Sequence, residues 1–244
     1  MLTYNTNSNT GPVCRGRAIK YFIKKILGLE HSTTNSLANI NNVEEMDNYG
    51  ISTLTFEEWQ KVRYLFYDPK EFNRKKAGEI LPRVKAILDS VKLDFFVTCG
   101  TALGFYRDGD FNPWDDDIDI DVFSENFIPV FYKLIPKLLE EGFIVRATPR
   151  GATSKMALFY NKIKVSIGAV YLENNKPDYR QGLSYQWLSK FYEDYTIYNY
   201  DGENYKLPGP CDEYLTFVYG KDWRIPLKSD NVFEYMNTEN EQFK

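Results

Sequence analysis

Histidine and cysteine are scarce in this chain of 244 residues, and their scarcity removes several kinds of active site. The single histidine, His31, lies in a polar N-terminal stretch, so histidine catalysis and zinc sites built from several histidines have little support. Cys14, Cys99 and Cys211 are widely spaced. They show neither a CxxC pair nor a disulfide pattern, which fits a reducing compartment.

Excess positive charge and long apolar runs are also missing. The net charge of −4 and the pI of about 5.3 offer no basic field for a nucleic-acid backbone, so we expect no nucleic-acid partner. The most apolar N-terminal stretch, AIKYFIKKILGL, is interrupted by Lys20, Lys24 and Lys25. We therefore expect a short amphipathic helix, no transmembrane span and no secretory signal, with the cytoplasm as the default location.

The first 50 residues differ in composition from the rest. They contain an Asn/Thr-rich start, the basic helix and a second polar stretch from Ser32 to Asn48. We expect residues 1–50 to be largely flexible and residues 51–244 to form one folded domain, because 43% of the chain is apolar and can supply a core.

Periodicity and turn residues predict an α+β domain in which helices flank a mixed sheet. Thr55 and Glu58 have capping-box spacing, Pro82 is a candidate kink, and Ser124 is a candidate helix cap. The predicted helices are 55–66, 71–91, a short one from 100, one from 124 to 142, 184–193 and 210–219. The predicted strands are 94–99, the aspartate-rich stretch from 117, 143–148, 155–160 and 162–172, with tight turns at 161–162 and 201–202.

Five aspartates fall within seven residues, from Asp115 to Asp121. Apolar residues separate Asp117, Asp119 and Asp121, which is the period of a strand, so these three carboxylates should share one face. Neighbours on that face lie about 7 Å apart, and two like charges at this distance repel by roughly 2 kcal/mol at an effective dielectric near 20. A divalent cation would relieve the repulsion, and carboxylate ligands suit Mg²⁺ or Mn²⁺.

A strand, a Gly-Thr step and a short helix precede the acids. Gly100 allows a ligand to approach the backbone, and the helix that follows presents unpaired N–H groups to an anion. Arg107 could add a bidentate phosphate contact. A phosphate chain held between a helix N-terminus and a metal on Asp117 and Asp119 is an arrangement suited to phosphoryl transfer.

The stretch GTALGFYRDGDFNPWDDDIDI resembles the signature of the LicD/fukutin family, and LPGPCDEYLTFVYGKDWRIP resembles the closing pattern of that family. The resemblance implies a polymerase-β-like nucleotidyltransferase fold. It also implies a metal-dependent phosphotransferase that moves phosphocholine or ribitol phosphate from a CDP-activated donor to a glycan or polyol acceptor and releases CMP. By position, Gly100 and Thr101 would bind phosphate, Arg107 would contact it, and Asp117 and Asp119 would bind the metal.

One departure from the family leaves alternatives open. The third carboxylate of the fold is expected on a later strand, where this chain has Ser166, although Asp115, Asp121 or Glu173 could compensate. Asp121 is our candidate for the base. One alternative is a non-catalytic nucleotide-binding protein of the same fold. Another is a nucleotide-sugar glycosyltransferase with an Asp-x-Asp motif, although the Gly-Thr step argues against it. Eukaryotic family members usually work in the Golgi behind a membrane anchor, which is not visible in this sequence.

Overall fold

The computed structural model describes residues 56–70, 72–173, 176–182, 186–229, 234 and 236–237. The predicted flexible segment 1–50, its basic helix and the capping residue Thr55 lie outside these residues. Among the described residues, no helix combines the length and the apolar character that crossing a bilayer requires.

A mixed sheet forms the centre of the fold. Its main path has the order β1-β2-β5-β4-β3; β2 and β5 are parallel, while the other neighbours on the path are antiparallel. β6 and β7 extend it from β5, and β8 and β9 form a separate hairpin. The strands are β1 Phe95–Val97, β2 Ile118–Phe123, β3 Ile144–Thr148, β4 Lys155–Tyr160, β5 Ile163–Glu173, β6 Lys176–Gln181, β7 Gln186–Leu188, β8 Thr196–Tyr200 and β9 Glu203–Leu207.

Helices flank the sheet, as the sequence predicts. The α-helices are α1 Phe56–Val62, α2 Arg74–Ser90, α3 Cys99–Asp108, α4 Ser124–Phe127, α5 Phe131–Glu140, α6 Lys190–Glu193 and α7 Cys211–Tyr219. Two 3₁₀ segments, Arg63–Leu65 and Ile128–Val130, extend α1 and link α4 to α5. α2 starts three residues later than predicted because Asn73 is its N-cap: the Asn73 side chain accepts the Lys76 N–H at 3.0 Å. Pro82 lies inside α2.

The predicted alternation of β2 is confirmed. Ile118, Ile120 and Val122 are at most 1% exposed and belong to the main hydrophobic core, whereas Asp119 and Asp121 are only partly buried on the opposite face. Burying the isoleucines against the core fixes the register of the strand, because a slip by one residue would turn every aspartate inward. The apolar half of the pattern thus decides which way the acids face.

Two sequence predictions are wrong. Ser124 does not cap the following helix; its hydroxyl donates instead to the Ala152 carbonyl at 2.7 Å. The helix predicted over 184–193 is reduced to the four residues of α6. β7 takes part of that stretch and pairs with β6, which itself pairs with β5, so long-range strand pairing overrides the local helical pattern.

The two predicted tight turns are present. Asn161 and Lys162 both have positive φ, of 48° and 70°, between β4 and β5. Asp201 and Gly202 also have positive φ, of 49° and 83°, between β8 and β9. Both central residues of a type I′ hairpin turn require positive φ, so these dipeptides set the register of their hairpins.

An aromatic stack holds the β8–β9 hairpin against α3. The ring of Phe105 on α3 lies parallel to those of Tyr200, at 4.5 Å between centroids, and Tyr198, at 5.6 Å. Phe111, just beyond α3, meets the Phe105 ring edge-on at 4.9 Å. Phe105 and Phe111 are fully buried. The stack packs one side of α3, whose first turn lies at the acids.

Candidate active site

The site begins at a sharp change of direction between β1 and α3. Thr98 is extended, whereas Cys99, the first residue of α3, has φ of +48°. The Cys99 N–H donates to the hydroxyl of Tyr214 at 3.0 Å, and Tyr214, on α7, is fully buried. α7 therefore stabilises an unusual backbone conformation at the start of α3. Tyr214 belongs to the C-terminal motif of the sequence.

Gly100 is required by its close approach to a carboxylate. A Cβ atom at this position would lie 2.4 Å from Oδ2 and 2.7 Å from Oδ1 of Asp115. The sequence indicates that this glycine lets a ligand approach the backbone. In the structure the neighbour is Asp115, so Gly100 makes room for one of the acids, and its phosphate-binding role stays a prediction.

Thr101 connects α3 to the acidic strand. Its side-chain oxygen accepts the backbone N–H of Asp119 at 3.0 Å, and the residue is fully buried. The Asp119 carbonyl accepts the N–H of Thr98 at 3.1 Å. The Thr101 hydroxyl thus positions Asp119. The predicted phosphate contact would then have to come from the backbone N–H groups in the first turn of α3.

Three carboxylates converge immediately before β2. One oxygen from each of Asp115, Asp116 and Asp117 lies within 4.8 Å of the others. Asp117, one of the predicted metal ligands, is at the centre of the site and 6% exposed. Its nearest acidic partners are thus Asp115 and Asp116 in the preceding loop, and Asp119 follows on the strand. Sequence periodicity did not single out Asp115 and Asp116 because they precede the alternating stretch, although Asp115 was a candidate to replace the third carboxylate.

Burial and the neighbouring carboxylates raise the pKa of three of the acids. Burial, then the charges of Asp117 and Asp116, raise the pKa of Asp115 well above its usual range. Burial, then Asp117 and Asp115, do the same to the pKa of Asp119. Burial and Asp117 raise the pKa of Asp116 to about 6. The site therefore resists full ionisation until positive charge is added.

Two side chains of β5 bind Asp117. Lys164 Nζ lies 2.5 Å from Asp117 Oδ2, and the Ser166 hydroxyl donates to the same oxygen at 2.7 Å. Ser166 pairs in register with Asp119 across the parallel strands. Ser166 thus occupies the position beside the acids that the sequence assigns to it. Lys164 was missed as a site residue; the only signal is its place two residues before Ser166, on the same face of the strand.

Asp121 lies farther along the acidic face. Its Oδ2 accepts the hydroxyl of Tyr192, on α6, at 2.7 Å. Burial raises the pKa of Asp121 to about 6, although the Tyr192 hydrogen bond opposes this. Tyr192 is 3% exposed and its ring packs edge-on against Phe96. Asp121 therefore shares the face of Asp119 and is tied to α6.

Arg107 lies at the other end of α3. Its guanidinium donates to both carboxylate oxygens of Asp108, at 2.9 and 2.7 Å, and to the Trp223 carbonyl at 3.4 Å. Its side chain is only 9% exposed. Arg107 would have to leave these partners to reach a phosphate, so its predicted phosphate contact remains a prediction.

The donor set fits a hard divalent cation. Asp115 Oδ2 is buried and makes no hydrogen bond within the part of the chain that the structure describes. Within the described ranges, the cation beside the four clustered carboxylates is Lys164; these carboxylates belong to Asp115, Asp116, Asp117 and Asp119. Oxygen-only ligation of this kind suits Mg²⁺ or Mn²⁺.

Comparison with known families identifies this arrangement. Residues 92–211 match the LicD/FKTN/FKRP nucleotidyltransferase domain, and they include α3, the acids and Ser166. This stretch is a LicD/fukutin-like nucleotidyltransferase domain. The predicted family and the predicted α+β nucleotidyltransferase fold are therefore confirmed. The match does not support the alternative of an Asp-x-Asp glycosyltransferase.

Curated relatives and solved structures with partial similarity to this chain were also found. The ribitol-5-phosphate transferase FKTN of Mus musculus is 26% identical over 166 residues, and that of Homo sapiens is 24% identical. Each alignment covers 64% of this chain but 35% of the relative. The lincosamide adenylyltransferase LnuA, with lincomycin bound, is 16% identical with a TM-score of 0.38, covering 53% of this chain and 78% of LnuA. The antibiotic-resistance factor ANT(2'')-Ia is 11% identical with a TM-score of 0.40, covering 56% and 66%.

Proposed function

We propose that this LicD/fukutin-like domain is a metal-dependent phosphotransferase. It would move a phospho-alcohol, of the phosphocholine or ribitol-phosphate class, from a CDP-activated donor to a glycan or polyol acceptor. The observation that carries the proposal is the convergence of Asp115, Asp116 and Asp117 beside Gly100 at the start of α3. The names of the relatives, ribitol-5-phosphate transferases, support the class of group transferred.

The residues divide into those that hold metal and those that hold phosphate. Asp117 and Asp119, with Asp115 and Asp116 beside them, would hold Mg²⁺ or Mn²⁺. The bound ion would neutralise charge on the phosphates. The first N–H groups of a helix have no intrahelical acceptor, so those of Gly100 and Thr101 are suited to phosphate oxygens. Arg107 would exchange its Asp108 contact for a phosphate oxygen.

The reaction would be a single displacement at phosphorus. An acceptor hydroxyl oxygen bonds to the phosphorus that carries the alcohol. The bond from that phosphorus to the bridging oxygen breaks, and CMP leaves with the bond's electron pair. The hydroxyl proton must pass to a base. We propose Asp121, because a pKa of about 6 leaves it mostly ionised at neutral pH but still basic enough to accept a proton.

Ser166 is the residue that supports the non-catalytic alternative. A neutral hydroxyl stands in register with Asp119, where the family resemblance implies a third carboxylate. A protein of this kind would bind a CDP-alcohol with metal but release no CMP. Turnover therefore separates the two functions, whereas binding alone does not.

The test combines binding and turnover on one set of proteins. Thermal shift is measured with CDP-ribitol, CDP-choline, CTP, UDP-glucose and ATP, each with and without Mn²⁺, and CMP release is followed from the two CDP-alcohols. We expect a CDP-alcohol to raise Tm only with metal. Asp117→Asn and Asp119→Asn should abolish this shift. Asp89→Asn, an exposed acid at the end of α2, serves as the matched control and should retain it.

Three outcomes are informative. CMP release that depends on metal and on Asp117 supports the phosphotransferase. Metal-dependent binding without CMP release, with acceptors of several classes present, supports the non-catalytic alternative. Equal binding by parent and both Asn variants would show that the acids do not form the nucleotide site.

A further inference from the structure

Lys164 and Ser166 both bind the same carboxylate oxygen of Asp117. The Lys164 ammonium is 2.5 Å, and the Ser166 hydroxyl 2.7 Å, from Asp117 Oδ2. A carboxylate bridges two metal ions by giving one oxygen to each. Because Asp117 Oδ2 already has two donors, Asp117 has one oxygen left for a metal ion.

The ammonium of Lys164 is held in place by its surroundings. Its side chain is 21% exposed, and Nζ lies 5.4 Å from the centre of the Tyr67 ring. Tyr67 is itself 6% exposed, and its backbone forms a bridge to Lys162, in the turn just before the strand that carries Lys164. Lys164 is thus a fixed cation between an aromatic ring and a carboxylate, unlike a surface lysine that samples solvent.

Among the described residues, the acids form one three-carboxylate cluster that can hold an ion, and Asp119 is the acid that follows it on the strand. Asp115, Asp116 and Asp117 converge on one point, and the buried Oδ2 of Asp115 makes no hydrogen bond within the described residues. Ser166, in register with Asp119 and bonded to Asp117 Oδ2, offers only a hydroxyl where a further carboxylate would help to hold a second ion. Two-metal sites place their ions about 3.5–4 Å apart, and the Lys164 ammonium already occupies that side of Asp117.

We infer that this site takes a single divalent cation and that the Lys164 ammonium supplies the second positive charge for the diphosphate of the donor. The inference rests on the proposed function, because it assumes that the acids bind metal together with a CDP-activated donor. Lys164 would then act in two ways: its charge faces the diphosphate, and its contact with one oxygen of Asp117 limits the number of ions that enter.

The first test needs no variant. Mn²⁺ binding is measured by electron paramagnetic resonance of the free ion at saturating CDP. We expect one Mn²⁺ per chain. Two per chain would overturn the inference while leaving the proposed function intact. No Mn²⁺ binding by the parent would overturn both.

A substitution then tests whether the charge of Lys164 controls metal binding, because methionine keeps most of the bulk of lysine but carries no charge. Lys164→Met removes a like charge next to the ion and frees Asp117 Oδ2, so affinity for Mn²⁺ alone should rise by about tenfold or more. Affinity for CDP measured at saturating Mn²⁺ should fall, because a cation that faces the diphosphate is lost. A protein that is merely damaged would lose both affinities. Mn²⁺ affinity unchanged by Lys164→Met would overturn the inference.

Two further variants guard against a folding artefact. Lys155→Met, on the adjacent strand and the same sheet face, removes a lysine that does not contact Asp117, and it should leave the number of ions and their affinity unchanged. Lys164→Arg keeps the charge and should keep one ion. The double variant Lys164→Met/Ser166→Asp restores a carboxylate and should bind two Mn²⁺ per chain. Retention of one ion in a folded double variant would count against the inference.

Discussion

Asp121 should make the stability of the metal-free protein depend on pH. Burial raises its pKa from the ordinary value of 3.8 to about 6, so between these values the folded protein holds a proton that the unfolded chain releases. Stability contributed by this proton is fully present below about pH 4 and is lost as the pH rises through about 6. The difference between 3.8 and about 6 corresponds to roughly 3 kcal/mol of unfolding free energy.

The measurement compares the parent with Asp121→Asn. Urea unfolding is followed in EDTA from pH 4 to pH 7.5, and the free energy of unfolding is compared at each pH. Asn cannot ionise, so relative to the parent the variant should gain up to about 3 kcal/mol across this range. Taking the difference cancels the acids that Asp121 does not influence; the charge of Asp121 also raises the pKa of Asp119, so part of the difference comes from that residue. A difference that stays constant with pH would refute the assignment of a buried, proton-holding Asp121.

A second substitution should shift the pH range over which Asp121 costs stability. The Tyr192 hydroxyl donates to Asp121 at 2.7 Å and opposes the effect of burial on its pKa. Tyr192→Phe removes this donor, so the pKa of Asp121 should rise further and the loss of stability should extend above pH 6. An unchanged pH range in Tyr192→Phe would show that the hydrogen bond does not act on the carboxylate.

The remaining predictions concern stability and are read by urea unfolding. Ile120→Asp should abolish the cooperative transition, because it buries an unpaired charge at a position that is 1% exposed. The control Ile120→Val should cost only about 0.5–1.5 kcal/mol. A cooperatively folded Ile120→Asp protein would contradict the packing of β2. Gly100→Ala should be strongly destabilising, and Asp115→Ala should suppress much of that effect because it removes the clashing carboxylate; additive effects would argue against the contact. Tyr214→Phe should cost about 1–3 kcal/mol, because it leaves the Cys99 N–H without an acceptor. Tyr106→Phe should cost little, because the Tyr106 hydroxyl binds an exposed acid.

The acidic strand was predictable because its signal is local. Alternating Asp and Ile residues specify both the strand and the face of each side chain, and burial of Ile118 and Ile120 then fixes the register. The turns at 161–162 and 201–202 were predictable for the same reason, since Asn161 and the Asp-Gly pair 201–202 are residue types that tolerate positive φ. A pattern that a few consecutive residues decide can be read without the rest of the chain.

The hairpin of β6 and β7 and the role of Lys164 could not be predicted in this way. β7 forms because β6 pairs with β5, and no local pattern contains that pairing. Lys164 meets Asp117 because β2 and β5 run parallel with Asp119 opposite Ser166. Sequence reasoning identified Ser166 through a family resemblance, but the resemblance concerned a missing acid and gave no reason to examine the lysine two residues earlier.

The two sequence motifs of the family meet physically on α3. Tyr214, from the C-terminal motif, accepts the Cys99 N–H at the start of the helix. The carbonyl of Trp223, from the same motif, accepts from Arg107 near the end of the helix. The C-terminal motif therefore orients the helix whose first turn faces the acids, although none of its residues belongs to the acidic cluster. If the first N–H groups of α3 bind phosphate as proposed, the C-terminal motif would position that phosphate by orienting α3.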